Sequence, residues 1–126
     1  LPKGRAFAML NNSKRLYGKR KNLLHTLQVK DIIPKLEKGF CELTGLPFDF
    51  NPTSTTSKNA YAPSIDRIDS NIGYVKENCR IVLSAVNDAL GEYDDTKMLP
   101  ILEAMVKGIK KNVKKKSTTP LPTSPN

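Results

Sequence analysis

The sequence predicts a mixed α+β domain, mostly helical, organised around a single strand-loop-strand-helix unit. Three observations predict it. Residues 62–91 pass from an alternating stretch through a polar turn to a β-branched stretch and then a helical one. Residues 29–38 and 96–115 space their apolar side chains by three and four. At 126 residues the chain suffices for one modest core and not for two.

Taken in order, AFAMLNNSKRLYGKRKN (6–22) reads as a basic helical segment that breaks or ends near Gly18. Leu23, Leu24 and Leu27 form a short extended apolar stretch around His25, the single histidine. Val29, Ile32, Ile33 and Leu36 define a helix that Gly39 stops. Pro34 fits it only in the first turn, so the helix is expected to begin near Asp31. GFCELTGLPFDF is turn-rich, and NPTSTTSKNAYAP is a polar loop. Ala62 to Asp69 alternates like a strand, Ser70 to Asn78 is a turn, and CRIVL (79–83) is a second strand. Leu83, Val86 and Leu90 then mark a helix face ending near Gly91.

Thr96 to about Lys115 is the clearest helix, and its stripe of Ile101, Leu102, Met105, Val106, Ile109 and Val113 is expected to be core. STTPLPTSPN (117–126) has the composition of a disordered tail, leaving 1–116 as one domain. That domain comprises a basic helical part (1–40), a central unit (about 62–93) and a final helix (about 97–115).

The net charge of +9 is unevenly spread. Residues 1–30 hold eight Lys or Arg and no acid, and Lys107 to Lys116 hold six lysines and no acid. The remainder carries seven basic and twelve acidic residues, a balance of −5. Basic ends suit a polyanion, because lysines and arginines that neutralise phosphates release condensed counterions. Charged ends that only keep the protein soluble are the plainer alternative. No apolar run reaches a membrane span, and the N-terminal residues lack the apolar stretch of a signal peptide. With only Cys41 and Cys79, a reducing, cytoplasmic location is expected.

The chemistry-bearing stretch is SIDRIDSNIGYVKENCRIVLSAVN (64–87). Phosphodiester hydrolysis needs an activated water and a cation to absorb charge on the phosphoryl and leaving oxygens. Asp66 at a strand end and Asn87 on the following helix supply oxygen ligands that suit Mg²⁺. A polar turn between two strands would account for the same residues without chemistry.

Residues PSIDRIDSNIGYVKENCRIVLSAVN resemble the HNH endonuclease family, also called the ββα-metal or His-Me finger. The resemblance covers roughly residues 14–92 and includes DIIPKLEKGFCELTGLPFDF, similar to the leader of a phage-type branch. It implies a β-hairpin and helix around one Mg²⁺ or Mn²⁺ ion, with Asp66 and Asn87 as ligands. Asn78 takes the position of the loop-bracing Asn, and Arg67 that of the general-base His. The implied partner is double-stranded DNA, approached from the minor-groove side.

Two positions depart from the family pattern. Where many members hold a structural zinc with four cysteines, this chain has Cys41, Thr44, Leu83 and Val86, and zinc needs about four N or S ligands. No structural zinc is expected, and Cys79 reads as a buried strand residue. Arg67 stays protonated and cannot accept a proton from water. It could instead ground charge on the transition state, with Asp69 the nearest substitute base or second ligand in sequence. His25, flanked by leucines, reads as a structural histidine.

The expected function is a metal-dependent DNA endonuclease or nickase. Asp66, Arg67, Asp69, Asn78 and Asn87 form its catalytic set. Arg15, Lys19, Arg20, Lys21, Lys110, Lys111, Lys114 and Lys115 would contact the phosphate backbone. Arg80, alternating with Cys79 and Ile81, suits either a phosphate contact or a solvated strand position. The alternatives are an inactive nucleic-acid-binding module of the same fold and a basic RNA-binding protein.

Overall fold

A computed structural model describes residues 2–17, 23–51 and 58–118. Its elements are α1 (Pro2–Tyr17), α2 (Val29–Lys38), β1 (Pro63–Arg67), β2 (Cys79–Leu83), α3 (Ser84–Leu90) and α4 (Asp95–Thr118). The two strands form one antiparallel sheet, so the fold is mixed α+β and mostly helical. Contacts divide the chain into two compact units, Leu1–Asp94 and Asp95–Asn126.

Helix α1 begins at Pro2, four residues before the sequence suggested. A proline at the first helical position loses no bond, because that N–H has no intrahelical partner. Ala6, Leu10 and Ser13 repeat at four and three and are buried together. Residues 18–22, where the helix was expected to break, lie outside the described residues.

Helix α2 begins at Val29 rather than near Asp31. Gln28 is the N-cap, and Asp31, the third residue of the helix, reaches back to accept the Gln28 N–H at 2.9 Å; a carboxylate there satisfies an orphan donor. Pro34 therefore lies inside the helix, on an exposed position, and the helix continues past the one bond it cannot make. Gly39 ends it in the left-handed region at φ 81°, which only glycine adopts without a Cβ penalty. Ile32 and Leu36 are each 1 % exposed and anchor the core with Ile81 and Val82.

The register pairs Asp66 with Arg80, Ile65 with Ile81 and Ser64 with Val82. The first strand is shorter than 62–69, because the chain turns at Ile68, whose N–H binds Asn78 O at 2.8 Å. On the other edge of β2, Glu42 N–H donates to Ile81 O and the Glu42 carboxylate accepts the Ile81 N–H. Lys35 closes this corner, 3.1 Å from Glu42 and donating to Cys79 O at 3.2 Å.

The turn after Gly39 brings three of the four zinc-like positions, Cys41, Thr44 and Leu83, together. Cys41 Sγ accepts the N–H of Thr44 and the N–H of Leu83, each at 3.4 Å, and Val86 packs against the core. Burial pushes the Cys41 thiol up, but the Thr44 and Leu83 donors outweigh it and leave the group below its usual range. Cys79 is buried as expected, and burial pushes its thiol up to about 11.

Segment 23–28 docks beside the hairpin loop through a parallel bridge between His25 and Tyr74. Tyr74 donates to Leu24 O at 2.9 Å and its carbonyl accepts Thr26 and Leu27 N–H. Gly73 is required here: a Cβ on it would collide with the Leu24 backbone.

Helix α4 runs from Asp95 to Thr118, so residues 117 and 118 extend the helix instead of starting the tail; residues 119–126 lie outside the described ones. The expectation that its apolar stripe is core is corrected. Ile101, Met105, Val106, Ile109 and Val113 are all about half exposed or more. The helix is the whole secondary structure described in its unit, and a single helix has no second layer to cover such a stripe.

Candidate functional site

Between the hairpin, α1 and α3 lies a cavity of about 270 Å³, whose wall includes Ser13, Ser64, Asp66, Arg67, Asn87 and Glu92. Local rules explain why these groups meet. Ser64 and Asp66 are two apart on β1 and share a face. Helix α3 starts at the residue after β2, so it folds back across β1 and delivers Asn87 one turn later. Gly91, at φ 56°, ends α3 and leads the chain to Glu92.

Asp66 is 3 % exposed. A carboxylate so placed requires a compensating charge, and Arg80 supplies it, with Nε 2.7 Å from Oδ2. The pair sits directly across the register, where cross-strand side chains are neighbours. Asn87 Nδ2 donates to Ser64 Oγ at 2.7 Å and to Ile65 O at 3.2 Å. Its two donors thus hold the helix to the strand, and its Oδ1 is the atom that remains to accept or ligate. Asp66 carboxylate, Asn87 amide oxygen and Ser64 hydroxyl are hard oxygen donors of the kind Mg²⁺ or Mn²⁺ takes. Among the described residues, no three His, Cys, Asp or Glu side chains gather into a metal cluster.

Asn78 is 6 % exposed and braces the loop between the strands. Its Oδ1 accepts the Asp69 N–H at 2.9 Å, while Nδ2 donates to Asp69 O, Ile72 O and Gly73 O at 2.9–3.3 Å. Arg67 clamps the same loop from the other side. Its Nη1 donates to Ser70 O at 2.9 Å and Ile72 O at 3.2 Å, and its guanidinium lies 5.0 Å from the Tyr74 ring centroid. Both residues hold the loop, and Arg67 also reaches the cavity wall.

Asp69 behaves differently. Its Oδ1 accepts the Asn71 N–H at 2.9 Å, the side chain is exposed, and it is not part of the cavity wall. It shapes a turn, as aspartates in such positions do. Asp66, Arg67 and Asn87 are therefore brought together at the cavity, Asn78 supports them from behind, and Asp69 stands apart.

Ser13, Ser64 and Glu92 belong to the cavity without having been singled out from sequence. The two-residue spacing of Ser64 and Asp66 was a usable signal; nothing local marks Ser13, which arrives from a distant helix. His25 is half-buried, 2.9 Å from Ser13 Oγ through Nε2 and tilted against Tyr74 at 5.1 Å. Its pKa lies below 6.5, chiefly from burial, with Lys14 adding to the effect.

Of the expected phosphate contacts, Lys19, Arg20 and Lys21 lie outside the described residues, and the side chain of Arg15 is likewise not described. Lys110, Lys111, Lys114 and Lys115 are exposed on α4. Arg80 is directed to Asp66. No helix among the described residues is long and apolar enough to cross a membrane.

A comparison with protein families, with curated proteins and with solved structures finds no match to this chain.

Because Asp66 is buried against Arg80, Arg80→Ala is expected to destabilise the protein by about 3–5 kcal/mol. The double change Asp66→Asn with Arg80→Leu should cost clearly less. Urea unfolding of the two variants beside the wild type checks this, and equal losses would contradict it.

Proposed function

We propose that this protein is a metal-dependent DNA endonuclease or nickase of the HNH type, hydrolysing phosphodiester bonds at the cavity between β1 and α3. The observation that carries the reading is the convergence of Asp66 and Asn87, twenty-one positions apart, on one cavity wall. The loop brace at Asn78 supports it, since the resemblance implies that role for that position. So does the neighbourhood of Cys41, Thr44 and Leu83, which the resemblance expects to lie together.

Asp66 and Asn87 would hold the Mg²⁺ or Mn²⁺ ion, with Ser64 beside them. When bound, the ion supplies charge stabilisation on the phosphoryl and leaving oxygens. The protein's own groups do the rest. Arg67, fixed by two carbonyls and the Tyr74 ring, presents positive charge at the cavity where the phosphate would sit; a pre-held donor needs no reorganisation during reaction. Arg80 balances Asp66 while the site is empty of substrate and keeps the carboxylate on the cavity face. The α4 lysines would bind backbone phosphates without reading sequence.

One observation favours a second reading, a nucleic-acid-binding module without hydrolysis. Arg67 brings a guanidinium group to a cavity whose carboxylate, Asp66, is already neutralised by Arg80, an arrangement that would also hold a phosphate and leave it intact.

Plasmid cleavage separates the two. With Mg²⁺ or Mn²⁺, the protein should nick supercoiled DNA, and Asp66→Asn and Asn87→Ala should each lower the rate about 100-fold or more while low-salt binding persists. Salt-dependent binding with no nicking would select the binding module. Replacing Lys110, Lys111, Lys114 and Lys115 with glutamine should flatten the slope of log affinity against log salt by up to about 4, near 0.9 per lost phosphate contact. An unchanged slope would remove α4 from the interface.

A further inference from the structure

Hydrolysis at this cavity needs an acceptor for the proton of the attacking water, and Arg67 cannot be one. Asp69 is committed to the Asn71 N–H and is not part of the wall. Ser13 has the required position. It reaches the cavity wall from α1, and its Oγ has two polar neighbours, Leu10 O at 2.7 Å and His25 Nε2 at 2.9 Å. A hydroxyl with two such neighbours can turn its proton to either one. A hydroxyl and an imidazole within hydrogen-bond reach are also the pairing that base-assisted chemistry uses.

The placement of His25 is built by several elements. The bridge to Tyr74 fixes its backbone, the Tyr74 ring lies along one face, and Gly73 permits the close approach of residue 24. It is the only imidazole in the chain.

We propose that Ser13 and His25 form a proton relay for this cavity, in which the Ser13 hydroxyl meets the nucleophilic water and His25 Nε2 receives the proton. This rests on the hydrolytic reading above. In the step, the water oxygen forms a bond to phosphorus, and the bond from phosphorus to the leaving oxygen breaks, its electron pair staying on that oxygen. The water proton passes to Ser13 Oγ as the serine's own proton passes to Nε2. The imidazolium then returns its proton to solvent, and the leaving oxygen takes one from solvent, so no oxidant or reductant is involved.

The charged and titratable groups around the ring suit a neutral base. Lys14 approaches from α1, and Tyr74 from the hairpin loop with the Arg67 guanidinium over it. Burial first and Lys14 second keep the imidazole below 6.5, against an opposing backbone hydrogen bond. A lowered pKa favours the neutral, proton-accepting form of His25, and the rate should rise as pH climbs through its pKa and then level off.

The test is steady-state nicking of supercoiled plasmid by the full chain with Mn²⁺, over about pH 5 to 8, the range in which a histidine titrates. His25→Gln, which keeps a hydrogen-bonding side chain and removes the base, should lower kcat about 100-fold or more with KM for DNA unchanged. It should also flatten the acidic limb whose midpoint lies below 6.5. Ser13→Ala should reproduce both effects and Ser13→Thr should restore them; Ser13→Ala carries the test if His25→Gln fails to fold. Wild-type pH profiles in His25→Gln and Ser13→Ala, a loss confined to KM, or transfer of the acidic limb to Glu92→Gln would each overturn the relay while leaving the nuclease standing. Absence of any nicking that Asp66→Asn abolishes would overturn both.

Discussion

A carboxylate buried near the end of a two-stranded sheet is the constraint from which the rest of this structure follows. Asp66 is 3 % exposed, and the cost of taking such a charge out of water is several kcal/mol unless a partner is held against it. Arg80 stands directly opposite in the register and meets it at 2.7 Å. A slip of one residue between the strands would turn Asp66 to the other face and put Ile65 or Arg67 in its place. The ion pair therefore specifies the register, and the register in turn sends Ile81 into the core beside Ile32 and Leu36.

The loop between the strands obeys a second requirement, that its buried backbone groups find partners. Asn78 meets this with one amide, serving Asp69 in both directions and two further carbonyls. Arg67 adds two bonds from the opposite side. Arg67 thus keeps the loop closed while lending positive charge to the cavity. On the proposed hydrolytic reading, the acceptance of a proton falls to some other residue, and Ser13 hydrogen-bonded to His25 is the pair proposed for it.

Much of this was legible in the sequence, for physical reasons that differ between elements. CRIVL is β-branched and short, and its strand falls on residues 79–83 as read. Glycines 39 and 91 end helices because their backbone angles exclude other residues. Asp66 and Asn87 could be paired because a strand-turn-strand-helix unit leaves few places for them to go. The start of α2 differs from the sequence expectation because the Gln28–Asp31 capping box begins the helix at Val29 and the helix accommodates Pro34 in its interior. The stripe on α4 reads as core in the sequence because amphipathic spacing states which side is apolar and not what covers it. Ser13 has no such signal, since its place on the cavity wall depends on α1 lying against the hairpin, a tertiary fact without a local signature.

The central claim is that the oxygen atoms of Asp66 and Asn87 grip one divalent cation in the cavity between β1 and α3. Anomalous diffraction from crystals soaked in Mn²⁺ tests it most directly. The account predicts a manganese peak within ligand distance of both side chains, absent in Asp66→Asn. A peak elsewhere, or these two side chains turned to different surfaces, would contradict it.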